Sequence, residues 1–224
     1  MFDLRRLIAV SILAVSLSAA ATATAAPPAS HVDTKMLGEQ LGRAWKALLA
    51  LPADSSPFLG NGDLCLQTDH NVVSPVVMPD QPPVTCTVNP GTKILVVGFG
   101  ADCSDVEAAP FHGDTYAEQV ACARDFVAGV TNARFTVDGS VWPLTEIVTP
   151  PERVTLPAGN VLTGVAGVAR FAADTYVGLT HPLPPGTHTL TIHQETVPGE
   201  PTPLDLTFSV TVARPPHDGG TERS

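Results

Sequence analysis

The chain has 224 residues, with 12 Lys and Arg against 22 Asp and Glu, for a net charge of −10. A surface so acidic repels phosphate backbones and anionic headgroups, which argues against nucleic-acid and membrane-surface roles. Its 22 prolines are about twice the ordinary share of ~5% and sit between apolar runs more than inside them. With the enrichment in Thr and Val, this favours many short strands joined by turns over a helix bundle.

The chain opens with Arg5 and Arg6, followed by an apolar run over residues 7–17 that is too short to span a bilayer comfortably. Ala23-Thr24-Ala25 then offers small residues where a signal peptidase cuts. Residues 1–25 therefore read as a signal peptide cleaved after Ala25. Residues 26–213 are expected to form one secreted β-rich domain, and 214–224 a loose polar tail. No cysteine ends the apolar run and no second long apolar run follows, so no membrane anchor is expected after cleavage.

Asp33 is placed to cap a helix whose Leu37, Leu41, Ala44, Trp45 and Leu48 fall at three- and four-residue steps. Pro52 ends it, because the residue before proline avoids helical geometry. Residues 52–81 read as a long turn-rich stretch, with Asn61-Gly62 and Pro79-Asp80 as turn signals. A strand is expected over 83–88, with Val84, Cys86 and Val88 on one face. Residues 92–98 form the strongest buried-strand candidate, and Gly98-Phe99-Gly100 is expected to end it.

The Thr115-x-x-Glu118 capping box predicts a second helix, with Tyr116, Val120, Ala123 and Val127 as its stripe. Asp138-Gly139 predicts a tight hairpin turn. Further strands are expected over 153–156, 168–179, 187–193 and 204–212, the last two alternating cleanly. In the third of these, His188 falls on the apolar face and His193 on the other. The expected fold is mostly β (α+β): an antiparallel sandwich, immunoglobulin-like or jelly-roll-like, with two short helices at an edge or end and two disulfides.

Four cysteines allow three pairings; Cys65–Cys86 and Cys103–Cys122 are favoured, each closing a loop of about 20 residues. No Cys-x-x-Cys is present and the spacing fits no zinc pattern, so neither a metal nor a redox pair is expected. On this reading each bridge ties irregular chain to a regular element, a long loop at Cys65 and a second loop over 102–114.

Several stretches resemble a group of secreted bacterial proteins of uncharacterised function. They are the run from Trp45 through Leu51-Pro-Ala-Asp-Ser-Ser-Pro57 to Cys65, then Cys86-Thr-Val-Asn-Pro-Gly-Thr-Lys-Ile-Leu, Asp102-Cys103-Ser104, Cys122-Ala123, Phe135-Thr-Val-Asp-Gly139 and Leu183-Pro-Pro-Gly-Thr-His188. The resemblance implies that the cysteines belong to the framework. It transfers no activity. Separately, the turn and strand beginning at Pro185-Gly186-Thr187-His188 are similar to immunoglobulin-like bacterial domains.

Asp102, Asp105 and Glu107 surround Cys103, with His112 and Asp114 close behind. Such a cluster is the one place where an acid–base pair could assemble, although its spacing matches no calcium loop. There is no Gly-x-Ser-x-Gly, no dinucleotide fingerprint and no three-histidine spacing, so no cofactor is implied. The leading expectation is a secreted, non-enzymatic module that binds an extracellular ligand or protein. The competing one is a hydrolase working through Asp102, Asp105, Glu107, His112 or Asp114, which requires two of these carboxylates to converge in a cleft.

Overall fold

The computed structural model describes residues 33–79, 81–199 and 202–214. The expected signal peptide, the domain's first residues, Asp80 of the Pro79-Asp80 turn and all of the tail beyond Arg214 lie outside the described residues.

Helix α1 (Thr34–Leu49) begins where the Asp33 carboxylate accepts the Met36 N–H at 3.1 Å. It buries the predicted stripe of Leu37, Leu41, Ala44, Trp45 and Leu48. Residues 52–81 are more ordered than their turn signals suggest. They hold two short 3-10 turns, Ala53–Ser55 and Pro57–Leu59, and then strands β1 (Cys65–Asp69) and β2 (Val72–Pro75). Next come β3 (Thr85–Val88), β4 (Lys93–Ser104), helix α2 (Tyr116–Val127), β5 (Thr131–Val137), β6 (Ser140–Pro143), β7 (Thr145–Val148) and β8 (Glu152–Leu156). The chain closes with β9 (Gly167–Leu179), β10 (Gly186–Glu195) and β11 (Leu204–Val212).

These strands build the expected mostly-β sandwich. One sheet runs β1-β2-β4-β9-β7, with β8 also paired to β9, and the other runs β3-β11-β10-β5-β6. Most pairs are antiparallel; β2–β4 and β3–β11 are parallel. The Asp138-Gly139 turn has both residues at positive φ, 49° and 81°, as a two-residue hairpin between β5 and β6 demands.

Period-two alternation along β4 assigns the layers. Ile94 and Val96 face the second sheet and join Phe135, Leu190, Ile192 and Phe208 in one core. Leu95 faces the other way and joins Leu37, Leu41, Leu49, Phe171 and Val177 in another. The first sheet is therefore the middle layer, with α1 on one side and the second sheet on the other. The outer face of the second sheet carries threonines paired across strands, Thr187 with Thr211 at 3.0 Å and Thr191 with Thr207 at 3.3 Å.

Helix α2 covers neither an edge nor an end. It lies over the end of β4 and the first half of β9. Asp174 and Gly178 share one face of β9; Arg124 of α2 sits over Asp174, while Phe135 of the second sheet crowds Gly178. Helix and second sheet thus share a layer, side by side. The capping box forms as predicted, but the buried stripe is Gln119, Ala123 and Val127. Gln119 takes the place expected of Val120 because its amide donates to the carbonyls of Gly113 at 2.9 Å and Arg170 at 3.1 Å.

Both expected disulfides are present. Cys65–Cys86 joins β1 to β3, one sheet to the other, and Cys103–Cys122 joins β4 to α2. Each links two regular elements, which corrects the expectation of loop tethers. The cause is β4 itself. It does not end at Gly98-Phe99-Gly100 but passes through a register shift between Val97 and Gly100, and continues to Ser104.

Candidate functional site

Strand β2 stays beside β4 only at Val72–Lys93 and Val73–Ile94. Pro75 then lacks the N–H that a ladder needs, and the Val76 N–H turns to the Leu64 carbonyl at 2.8 Å. Residues 74–79 therefore swing away from β4 and leave the first sheet split. The split is a cleft of about 250 Å³, walled by Trp45, Phe58, Val76, Met78, Val97 and Phe99, with Leu204 and Leu206 of the second sheet beneath. Its lining is mostly apolar. Trp45, expected as a core anchor, is buried and also faces this cleft; its indole N–H donates to Thr175 Oγ1 at 3.2 Å.

The β4 bulge forms the cleft's inner wall. The Phe99 N–H donates to Gln194 Oε1 of β10 at 2.6 Å. Gln194 is fully buried and its Nε2 has no partner among the described residues. Gly98 is glycine because any Cβ there would run into the Gln194 amide.

The predicted carboxylates come together only in part. Asp102 lies in β4, and its Oδ2 is buried without a hydrogen-bond partner. Burial first, and then the charge of Glu107, pushes Asp102 up to about 8. Burial also raises Glu107, which accepts the Ser104 hydroxyl at 2.8 Å. Asp105 turns instead to Arg170, accepting its backbone N–H at 2.8 Å and its Nε–H at 2.7 Å. Burial works to raise Asp105, but these bonds and the Arg170 charge hold it below the usual carboxylate range. Asp114 is exposed, 3.2 Å from His112 Nε2, while His112 Nδ1 lies 2.8 Å from the Glu107 carbonyl. That carbonyl and Asp114 raise the imidazole. Glu107 thus lies within electrostatic reach of Asp102, while Asp105 is bound to Arg170 and Asp114 stands exposed beside His112. None of the four lines the apolar cleft. No group of three or more His, Cys, Asp or Glu side chains among the described residues is arranged to hold a metal.

A second polar cluster escaped the sequence. Asp174 is fully buried in β9, with Arg124 Nε 3.6 Å away and neither carboxylate oxygen hydrogen-bonded. Burial, and then the Glu146 charge, pushes it up to about 6. The neighbouring Tyr176 hydroxyl donates to Glu146 at 3.1 Å. The one sequence signal was a lone acid in a mostly apolar strand.

The histidines of β10 stand as expected. His188 is buried, with Nδ1 2.7 Å from Asp138 Oδ2 and Nε2 2.9 Å from the Pro184 carbonyl. His193 faces outward, with Nδ1 2.7 Å from Asp205.

No protein-family model matches the chain, and no curated protein matches it. Two solved structures are similar to part of it. One is a cysteine protease inhibitor from Entamoeba histolytica, 14% identical over 58% of this chain and 86% of that one, with a TM-score of 0.22. The other is the solution structure of amebosin, 14% identical over 57% of this chain and 87% of that one, with a TM-score of 0.19.

Proposed function

We propose that this protein is a secreted, non-enzymatic binding module that takes an apolar ligand into the split in its first sheet. The observation that carries this reading is the cleft itself. A sheet normally closes its strands against each other, and here an apolar gap of about 250 Å³ stands open between β4 and residues 74–79. Phe58, Val97 and Phe99 are only partly buried there, so they gain burial when a ligand enters. Two formed disulfides suit an oxidising compartment, and no helix among the described residues is long and apolar enough to cross a membrane.

Titration with a medium-chain fatty acid such as laurate, followed by intrinsic tryptophan fluorescence and thermal unfolding, tests the reading. Saturable binding that shifts the emission and raises Tm is expected, and Val97→Trp, which fills the gap, should abolish both responses. A flat titration across fatty acids, alcohols and peptides overturns it.

The hydrolase reading keeps one point in its favour: the Glu107 charge acts on Asp102, and both carboxyls are held above ordinary values. It requires an activity against glycoside or ester substrates that Asp102→Asn removes while the protein stays folded. An activity panel that is blank, or unchanged in that variant, disposes of it.

A further inference from the structure

Resting on the reading of the cleft as a binding site, we infer that its ligand is an extended apolar peptide, which adds as a strand to the free edge of β4. The inference starts from where the backbone groups of β4 point. Its antiparallel pairing to β9 runs along its whole length apart from the bulge. Among the described residues, strands and backbone bonds occupy its other edge at its two ends. At the start, β2 pairs with Lys93 and Ile94. At the far end, Ser104 gives its N–H to the Phe111 carbonyl at 3.1 Å and takes the Gly113 N–H at 3.0 Å. Between them no strand of the described residues is paired to that edge.

Alternation then fixes which groups are free. Ser104 turns its backbone away from β9, so Asp102 and Gly100 do the same. The opposite set confirms this, since the next residue but one from Cys103, Asp105, gives its N–H to Arg170 of β9 at 3.1 Å. The N–H and C=O of Gly100 therefore face the open side, in the wall of the cleft. Burial tracks the same boundary: Val97 to Asp102 are all partly exposed, whereas Ile94 to Val96 and Cys103 to Ser104 are buried.

Unpaired main-chain donors and acceptors beside an apolar wall call for a partner that supplies both hydrogen bonds and hydrocarbon. An alkyl chain satisfies only the second. A peptide strand satisfies both, with its backbone on the edge and alternate side chains directed to the cleft, the mode called β-augmentation. The bulge at Gly98 and Phe99 shields part of the edge, as bulges do on exposed edges. It leaves Gly100 and Asp102 beyond it in regular strand geometry.

The test uses blocked hexapeptides of alternating leucine and serine, with laurate as the non-peptide control. In a strand the leucine amides point to one edge and the serine amides to the other. One peptide is N-methylated at its leucines and a second at its serines. The parent peptide should bind, and only one of the two methylated forms should lose affinity, by tenfold or more. Amide hydrogen exchange at Gly100 should slow at least tenfold in the peptide complex and stay unchanged with laurate. If laurate binds but the peptides do not, or if both methylated forms bind like the parent, strand addition is overturned and the apolar cleft reading stands. If neither laurate nor any peptide binds, both readings fall.

Discussion

The Phe99 N–H and the Gln194 Oε1 are 2.6 Å apart although 95 residues separate them in the chain. This bond fastens the bulge of the middle sheet to the second sheet and holds the cleft wall in place. Gln194 is fully buried, so truncation leaves the Phe99 N–H without a partner and opens a void. Gln194→Ala should cost about 2–4 kcal/mol in denaturant unfolding, combining an orphaned donor with a small cavity. Gly98→Ala should also destabilise, because its new methyl meets the Gln194 amide. Since Gln194→Ala removes the obstacle, the double variant should be more stable than the two single costs predict. Strict additivity would show that the two side chains do not compete for one space.

What was legible beforehand was mostly local. Asp33 and Thr115 cap helices through side chains three residues from their partners, and the Asp138-Gly139 hairpin needs only its own two residues. These are written in short windows, as was the alternation of β10 and β11. The cleft was not legible, because it depends on where β2 leaves β4 and on a contact between Phe99 and Gln194. The two glycines at 98 and 100 looked like a strand end. They are the answer to crowding from Gln194 and Thr175, residues far along the chain. The same misreading moved Asp102, Cys103 and Ser104 out of a strand and into a loop. It hid the fact that Asp102 carries a buried carboxylate oxygen without a partner. Of the site residues named from sequence, Glu107 lies within electrostatic reach of Asp102, but neither lines the cleft.

Buried acids set a pH dependence of definite sign. Asp102 titrates at about 8 and Asp174 at about 6 in the folded protein, against 3.8 for an ordinary aspartate. Burial is the first cause in both cases. Between 3.8 and these values the folded chain holds protons that the unfolded chain has released, so each residue lowers stability as pH rises. The benefit of the neutral form is complete below 3.8 and gone above the folded value. Asp102→Asn and Asp174→Asn should therefore raise Tm at pH 8.5 relative to wild type by more than they do at pH 4 (an interval set by those values). Equal Tm differences at both pH values would show that neither carboxyl is raised above its ordinary range in the folded protein.

The two bridges should differ in what they hold. Cys65–Cys86 and Cys103–Cys122 close loops of 21 and 19 residues, each worth about 3 kcal/mol in the chain-entropy model. Paired Cys→Ser replacements should lower the denaturant midpoint by comparable amounts. Hydrogen exchange should separate them. Losing Cys103–Cys122 should speed exchange in α2, which packs mainly on β4 and β9. Losing Cys65–Cys86 should speed exchange in β1 and β3, which are edge strands of their sheets. Uniform acceleration across the molecule in both variants would mean that neither bridge has a local role.

Asp138 and His188 form a pair whose contribution is confined to a pH window. The Asp138 carboxylate lies 2.7 Å from His188 Nδ1 and also accepts the Thr189 N–H at 2.9 Å, joining the hairpin turn to β10. The hydrogen bond from His188 is the main cause holding Asp138 below 3.8, and the same bond is the main cause raising His188 above 6.5. The depressed acid stabilises the fold above 3.8, and that stability is lost as pH falls through its lowered value. The raised imidazole stabilises the fold below 6.5, and that stability is lost as pH rises through its raised value. Their joint contribution is therefore greatest between 3.8 and 6.5. Asp138→Asn keeps a side chain that tolerates positive φ and can still accept from Thr189, so it removes mainly the charge. With Asp138 half exposed, the loss should be about 1 kcal/mol or less near pH 5. It should shrink toward zero near pH 9, where the imidazole is neutral. Chemical unfolding of both proteins across this range would measure it. A penalty that is constant with pH would show that the pair acts through shape and hydrogen bonding alone, with no contribution from the His188 charge.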